Sequence, residues 1–180
     1  EHCDHMAVDR PAGYATDLNQ DGYHELLIMG DRSVQLHHFH PEHRIVNLLN
    51  LFAQDDPRRA CHGMTALNID LNHDGRLDLV VGCSTAPDQD SLNINLRHLK
   101  NLAFLQDEQG ELHVLNPDAW NRGDQPILLE AEGITLALGA ADLNGDGLID
   151  LQVCEDTLFE TRRGDPGGIY QRCQPSEACR

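Results

Sequence analysis

A chain of 180 residues is long enough for one compact domain with a substantial core and marginal for two. Its formal net charge of −17, with only 13 basic residues, argues against nucleic acid or an anionic membrane surface as a partner. The charge instead favours a protein that binds cations, with an acidic surface that only keeps a secreted protein soluble as the alternative. No run of residues is long and apolar enough to predict insertion into a membrane.

One ten-residue pattern occurs three times along the chain. It reads DLNQDGYHEL at residues 17–26, DLNHDGRLDL at 70–79 and DLNGDGLIDL at 142–151. Counted from the first Asp, oxygen donors at positions 1, 3, 5 and 9 and a glycine at position 6 are typical of a calcium loop. The sequence therefore predicts three calcium-binding loops.

The residues after each loop exclude an EF-hand. That motif needs a bidentate glutamate at position 12 followed by a helix. Position 12 is Ile28, Val81 or Val153, and the flanking segments are short β-type runs. A metal-free turn is the alternative, because Asp, Asn and Gly favour turns by themselves. Three carboxylates in each loop would repel one another without a cation, so we prefer the metal-bound interpretation.

Strand-like segments surround each loop and divide the chain into three units. The predicted strands are residues 13–19, 25–30, 33–40 and 44–52 in the first unit; 64–72, 78–84, 101–107 and 111–116 in the second; and 134–144, 150–155, 157–163 and 168–173 in the third. Each unit therefore holds enough sequence for one four-stranded sheet, with the calcium loop between its first two strands.

These loops and their flanking strands resemble the FG-GAP or VCBS-type repeats of calcium-binding β-propellers, as in integrin α subunits. The resemblance implies an all-β fold, a single small β-propeller over residues 1–180, with an N-terminal arm at 1–12 and four-stranded blades at about 13–53, 61–117 and 131–175. Three blades are fewer than the usual four to eight. Either three splayed blades close a small ring or other chains complete a larger one; we expect the closed ring, with a stacked β-solenoid array as the alternative.

The resemblance also implies the calcium ligands, with a backbone carbonyl at position 7 and side chains elsewhere. The implied ligands are Asp17, Asn19, Asp21, Tyr23 and Glu25 in the first loop; Asp70, Asn72, Asp74, Arg76 and Asp78 in the second; and Asp142, Asn144, Asp146, Leu148 and Asp150 in the third. Three Ca²⁺ ions would offset six of the nine negative charges in these loops.

Six cysteines without a C-x-x-C pair predict disulfides and an oxidising compartment. The spacing suggests Cys61 with Cys83 and Cys154 with Cys173, and leaves Cys3 and Cys179 either to clip the termini together or to join one molecule to the next. Six cysteines allow fifteen pairings, so these pairs are hypotheses.

The segment HHFHPEH brings together four histidines, His37, His38, His40 and His43. His38 and His40 would lie on one face of a strand and would suit a transition metal, although a solvated surface is the commoner outcome for such a cluster. The sequence leaves open whether the cluster binds a metal. The sequence contains no nucleophile elbow, P-loop or dinucleotide-binding fingerprint, so we expect that the protein is not an enzyme.

These observations lead us to expect a structural or adhesive building block stabilised by calcium. The start at Glu1, without Met or an apolar signal-like segment, suggests a mature extracellular or cell-surface protein. Exposed edge strands or the terminal cysteines would support a homo-oligomer, polymer or fibre. The alternative is a propeller that binds a carbohydrate or protein ligand, although a single Trp in three units argues against repeated sugar pockets.

Overall fold

A computed structural model of the chain describes residues 12–30, 32–85, 101–115, 134–142, 150–156 and 169–173. Within these residues the protein is mostly β. The strands are β1 (Ala12–Thr16), β2 (Glu25–Gly30), β3 (Ser33–His38), β4 (Arg44–Asn47), β5 (Cys61–Ile69), β6 (Asp78–Thr85), β7 (Leu102–Gln106), β8 (Leu112–Val114), β9 (Ile134–Ala141), β10 (Asp150–Asp156) and β11 (Ile169–Cys173). Short 3-10 helices span Leu48–Leu51 and Pro57–Ala60. Among the described residues, no helix is long and apolar enough to cross a membrane.

Two four-stranded antiparallel sheets follow the order of the chain. The first sheet runs β1-β2-β3-β4 and the second runs β5-β6-β7-β8. In each sheet a predicted calcium loop joins the first two strands. The predicted four-stranded arrangement is therefore confirmed for the first and second units.

The fourth strand of the first unit is shorter than predicted. It ends at Asn47, and the chain continues as a 3-10 helix instead of a strand. The cause is local, because the Asn47 side chain accepts a hydrogen bond from the backbone N–H of Leu49 at 3.1 Å. This cap directs Leu48 and Leu49 into the core, where both are buried.

The third sheet has the order β11-β10-β9 among the described residues. Residues 168–173 were predicted as the fourth strand of this unit, but β11 pairs directly with β10, with Cys173 opposite Gln152. The predicted third strand at 157–163 lies outside the described residues. Alternating hydrophobicity identifies a strand but not its neighbour, and the antiparallel pairing with β10 gives β11 the place that the third strand takes in the other sheets.

The second sheet is buried on both faces. Leu79, Val81 and Phe104 join the first sheet in the larger core, whereas Val80 packs with Leu138 of β9 in a smaller one. Burial on both faces explains why the sequence DLVVGC of β6 is almost continuously apolar instead of alternating. The sheets are thus stacked in chain order, and no closed ring is seen among the described strands.

Two glycines permit the close approach of neighbouring sheets. A Cβ atom on Gly63 would lie 2.9 Å from Cβ of Met29 in the first sheet. A Cβ atom on Gly82 would lie 2.6 Å from Cγ2 of Thr135 in the third sheet and equally close to Cγ2 of Thr65. Any larger residue at either position would have to push two packed layers apart.

A disulfide joins Cys61 and Cys83, as predicted, with an S–S distance of 2.11 Å. It links the paired strands β5 and β6, and both side chains are fully buried. Cys154 and Cys173 lie on the paired strands β10 and β11, but their side chains are outside the described part of the structure, as are Cys3 and Cys179. The pairing of those four cysteines stays a prediction.

Candidate calcium loops

The first and second loops have the same backbone shape. Position 4 is left-handed in both, with φ of 58° at Gln20 and 59° at His73. Position 6 is also left-handed, with φ of 90° at Gly22 and 85° at Gly75, a conformation that glycine adopts without steric cost. Two left-handed residues in three curl each loop tightly around the side chains at positions 1 to 5.

Hydrogen bonds hold the first loop in this shape. Asp17 Oδ2 accepts from the N–H of Gly22 at 3.0 Å, and Asn19 Oδ1 accepts from the N–H of Asp21 at 3.1 Å. Asp21 Oδ1 in turn accepts from the N–H of Tyr23 at 2.8 Å. The three predicted side-chain ligands at positions 1, 3 and 5 therefore all face the inside of the loop.

The second loop repeats these bonds at the corresponding positions. Asp70 Oδ2 accepts from the N–H of Gly75 at 2.9 Å, Asn72 Oδ1 from Asp74 at 3.1 Å, and Asp74 Oδ1 from Arg76 at 2.9 Å. The N–H of Asp74 also donates to Asp70 Oδ1 at 3.1 Å, a bond without a counterpart in the first loop. The three bonds that recur show that the shared sequence pattern produces a shared loop shape.

The acidic residue at position 9 is buried in both loops, as Glu25 and Asp78. Glu25 Oε2 accepts from the N–H of Leu18 at 2.9 Å, and Asp78 Oδ2 accepts from the N–H of Leu71 at 2.8 Å. Each bond ties the second strand of the sheet back to position 2 of its loop. The longer Glu side chain makes the same contact as Asp.

The strand register places position 9 identically in all three loops. Thr16 is opposite Glu25, Ile69 is opposite Asp78, and Ala141 is opposite Asp150. The residue before the loop thus always pairs with the ninth residue of the loop.

Of the third loop, the structure describes the exposed Asp142 and the backbone of Asp150. Residues 143–149, with the predicted ligands Asn144, Asp146 and Leu148, lie outside the described part of the chain. The third calcium site stays a prediction.

Two observations show how the loops suit a cation. Oδ1 of Asp17, at position 1, is buried and has no hydrogen-bond partner, although a buried carboxylate oxygen normally has one. In the second loop, burial raises the pKa of Asp78, and the charges of Asp74 and Asp70 add to this against two backbone hydrogen bonds that lower it. A bound cation would satisfy the first oxygen and remove the repulsion at the second.

In the two described loops, three acidic or histidine side chains do not converge on one point. Among the described residues, no three His, Cys, Asp or Glu side chains form a group that could hold a metal ion. The reason lies in the hydrogen bonds above, since the carboxylate oxygens face loop N–H groups. The predicted donor set is also mixed, because each loop relies on an Asn oxygen and a backbone carbonyl in addition to its carboxylates.

A nitrogen-bearing side chain accompanies a predicted ligand in each described loop. The Arg76 guanidinium forms a salt bridge with Asp74 Oδ2. In the first loop, His40 Nδ1 lies 3.8 Å from Asp21 Oδ2, and its ring stacks on Tyr23 with centroids 3.9 Å apart. The hydrogen bond from the N–H of Tyr23 is the main reason that the pKa of Asp21 is lowered. At neutral pH Asp21 is therefore ionised, as a calcium ligand must be.

Gln106 is a residue of this site that the sequence did not reveal. It ends β7 and is 4% exposed, and it contacts both described loops. Its side chain donates to the Leu18 carbonyl at 3.2 Å, its backbone N–H donates to Asp78 Oδ1 at 2.8 Å, and its carbonyl accepts from Nε of Arg76 at 3.1 Å. A single polar residue at the end of an apolar strand gives no local signal of such contacts.

The histidine cluster does not lie on one strand face. β3 ends at His38, whose ring is buried with Nδ1 3.6 Å from Glu25 Oε1, whereas His40 follows the strand and is about half exposed. Burial and the neighbouring Arg44 lower the pKa of His38, and Glu25 opposes them. The idea that His38 and His40 share a face is therefore wrong, because the strand stops between them.

The other two histidines stack on an aromatic ring. The ring of His43 lies 5.3 Å from that of Phe39 and 5.8 Å from that of His37. Stacked rings present their faces to one another, whereas a metal needs their nitrogen edges to converge. Phe39 and His43 are exposed, so this ring stack lies largely at the surface of the protein.

Comparison with protein families, curated proteins and solved structures gives no match to this chain. The resemblance to FG-GAP or VCBS-type repeats thus depends on the loop motif and stays a prediction.

Proposed function

We propose that this protein is a non-enzymatic, extracellular structural or adhesive building block, built as a three-bladed propeller and stabilised by calcium. The observation that carries the proposal is the repeated loop. The two described copies share their left-handed residues, their internal hydrogen bonds and a buried acidic residue at position 9. In one of them a ligand oxygen, Oδ1 of Asp17, is buried without a partner.

The stacked sheets support the propeller part of the proposal. Two four-stranded meanders and a third sheet pack in chain order, as successive blades do. In a closed ring of three, the third sheet would also reach the first.

The loops support a structural role for the metal. Each loop lies between the first two strands of a sheet, and in the two described loops the side chains at positions 1, 3 and 5 accept hydrogen bonds from the backbone of their own loop. The fifteen ligands implied by the sequence would hold three ions, and each ion would offset two of the three carboxylate charges in its loop and pin one hairpin. Calcium would thus fix the shape of the protein.

Calorimetric titration of the metal-free protein with calcium tests this proposal. We expect three ions per chain for the unaltered protein and two for Asp17→Ala, because Asp17 supplies the ligand at position 1 of the first loop. Asp55→Ala makes the same chemical change at an exposed site outside the loops and is expected to retain all three. Absence of binding, or three sites in Asp17→Ala, would contradict the proposal.

Self-association is the second part of the proposal. β4 is an edge strand of the first sheet, and it carries Ile45, which is 52% exposed. An edge strand offers free backbone groups to a strand of another chain, and a charged side chain on the edge opposes such pairing. Cys3 and Cys179 would offer a covalent route between molecules.

Sedimentation velocity in calcium tests the association. We expect the unaltered protein to form species larger than a monomer, and we expect Ile45→Lys to form smaller species than the unaltered protein. Leu51→Lys is the matched control, since Leu51 is 43% exposed but lies in the 3-10 helix that follows the edge strand and takes no part in the sheet. Dissociation by reductant, reproduced by Cys3→Ser/Cys179→Ser, would assign the contact to the terminal cysteines. A strictly monomeric protein in calcium would refute the association.

A further inference from the structure

One buried side chain stands between the two described calcium loops. The backbone N–H of Gln106 donates to Asp78, at position 9 of the second loop, and its side-chain amide donates to the carbonyl of Leu18, at position 2 of the first. The N–H of Leu18 in turn donates to Glu25, at position 9 of the first loop. A continuous line of hydrogen bonds therefore joins the buried acidic residues of the two loops.

A second set of contacts runs parallel to this line. The turn between β7 and β8 lies against the first loop, where a Cβ atom on Gly110 would be 3.5 Å from Cβ of Asn19. Arg44 of the first sheet forms a salt bridge of 2.8 Å with Glu111 of the same turn. The two sheets thus meet at the end where both loops are placed.

We propose that Gln106 couples the first two calcium sites, so that binding at one strengthens binding at the other. The inference rests on the proposed calcium function and deepens it. An ion in the second loop would fix Asp78 and the Arg76 carbonyl, and their neighbour Gln106 with them. Through its side chain, Gln106 would then hold the Leu18 carbonyl in place before an ion binds to the first loop.

The expected coupling is positive and modest. The ion that binds earlier has already ordered the residues that join the two loops. The ion that binds later therefore meets a smaller entropic cost, and its affinity rises without a change of shape. Coupling between two sites is typically at least about fivefold, and we expect roughly fivefold here because a single side-chain hydrogen bond links the loops. Linkage requires the same factor in both directions.

The chain contains its own reporter for the first loop. Tyr23 is at position 7 of that loop, whereas the second and third have Arg76 and Leu148 there. Terbium ions replace calcium in such loops and luminesce when a nearby tyrosine is excited. Titration with terbium should therefore report the first loop, and Tyr23→Phe should abolish the signal.

Two substitutions isolate the link. Asp74→Ala removes a ligand of the second loop and is expected to raise the terbium dissociation constant of the first loop about fivefold. Gln106→Met removes the side-chain donor to Leu18 but keeps the backbone bonds to the second loop. In the Gln106→Met background, Asp74→Ala should leave the terbium dissociation constant of the first loop unchanged. Gln35→Met makes the same change in the first sheet and should preserve the fivefold effect.

The outcomes separate this inference from the proposed function. Binding of terbium and calcium with no effect of Asp74→Ala, or an equal effect with and without Gln106→Met, overturns the coupling alone. Failure of the unaltered protein to bind either ion overturns both. If Gln106→Met does not fold, as circular dichroism would show, Asp21→Ala provides the reciprocal test. Calorimetry should then show that the calcium affinity of the second loop falls by the same factor. An unchanged calcium affinity of the second loop overturns the coupling.

Discussion

Removal of calcium with EDTA is expected to lower the melting temperature of this protein by about 10–20 °C through the first two loops alone. At a free calcium concentration 100 times the dissociation constant, one independent site stabilises the folded state by about 2.7 kcal/mol. The two described loops would then contribute about 5 kcal/mol, and each kcal/mol corresponds to about 2–4 °C for a chain of this size. Differential scanning calorimetry with and without chelator measures the shift.

The controls separate bound calcium from general screening of the negative charge. Sodium chloride at matched ionic strength should not replace calcium, although it also screens the net charge of −17. Magnesium should restore less of the lost stability than calcium does, since it demands a stricter coordination geometry and releases its bound water reluctantly. The double variant Asp17→Ala/Asp74→Ala should show a much smaller calcium shift. A shift as large as in the unaltered protein would assign the effect to other sites.

Loss of the Cys61–Cys83 disulfide is expected to destabilise the protein by about 3 kcal/mol. The bridge closes a loop with a sequence separation of 22, which restricts the unfolded chain. Both side chains are also fully buried in the core between the first two sheets. Denaturant unfolding of Cys61→Ala/Cys83→Ala, compared with the unaltered protein at saturating calcium, measures the loss.

Calcium titration supplies the control for the disulfide. The bridge lies at the opposite end of β5 and β6 from the second loop, so the double variant should still bind three ions if it folds. A loss of stability well below 1 kcal/mol would show that the bridge contributes little. A parallel loss of a calcium ion would show that bridge and loop are not independent.

Much of the fold followed from local sequence patterns. The loop motif, with a strand on each side, was enough to predict the first two sheets, because Asp, Asn and Gly define the turn and the flanking residues alternate or run apolar. The end of β4 escaped prediction because a single side chain, Asn47, caps a turn that the apolar sequence after it did not indicate. The place of β11 escaped it because strand order is a tertiary property.

The candidate site divides in the same way. The spacing of the loop residues predicted calcium ligands, and that assignment stays a prediction. The structure shows that Asp17 and Asp70, at position 1, accept hydrogen bonds from the backbone of their own loops. Gln106 could not be predicted, because its partner Leu18 is 88 residues away in the sequence. The salt bridge of Arg76 was also missed, since only its backbone carbonyl had been assigned a role.

The double burial of the second sheet has a consequence for any shortened form of this protein. The first and third sheets bury the two apolar faces of the second sheet. Leu79, Val81 and Phe104 belong to one face and Val80 to the other. A fragment that begins after residue 53 would uncover the larger of the two apolar faces. Proteolysis between the first two units should therefore yield insoluble material in place of a free second unit.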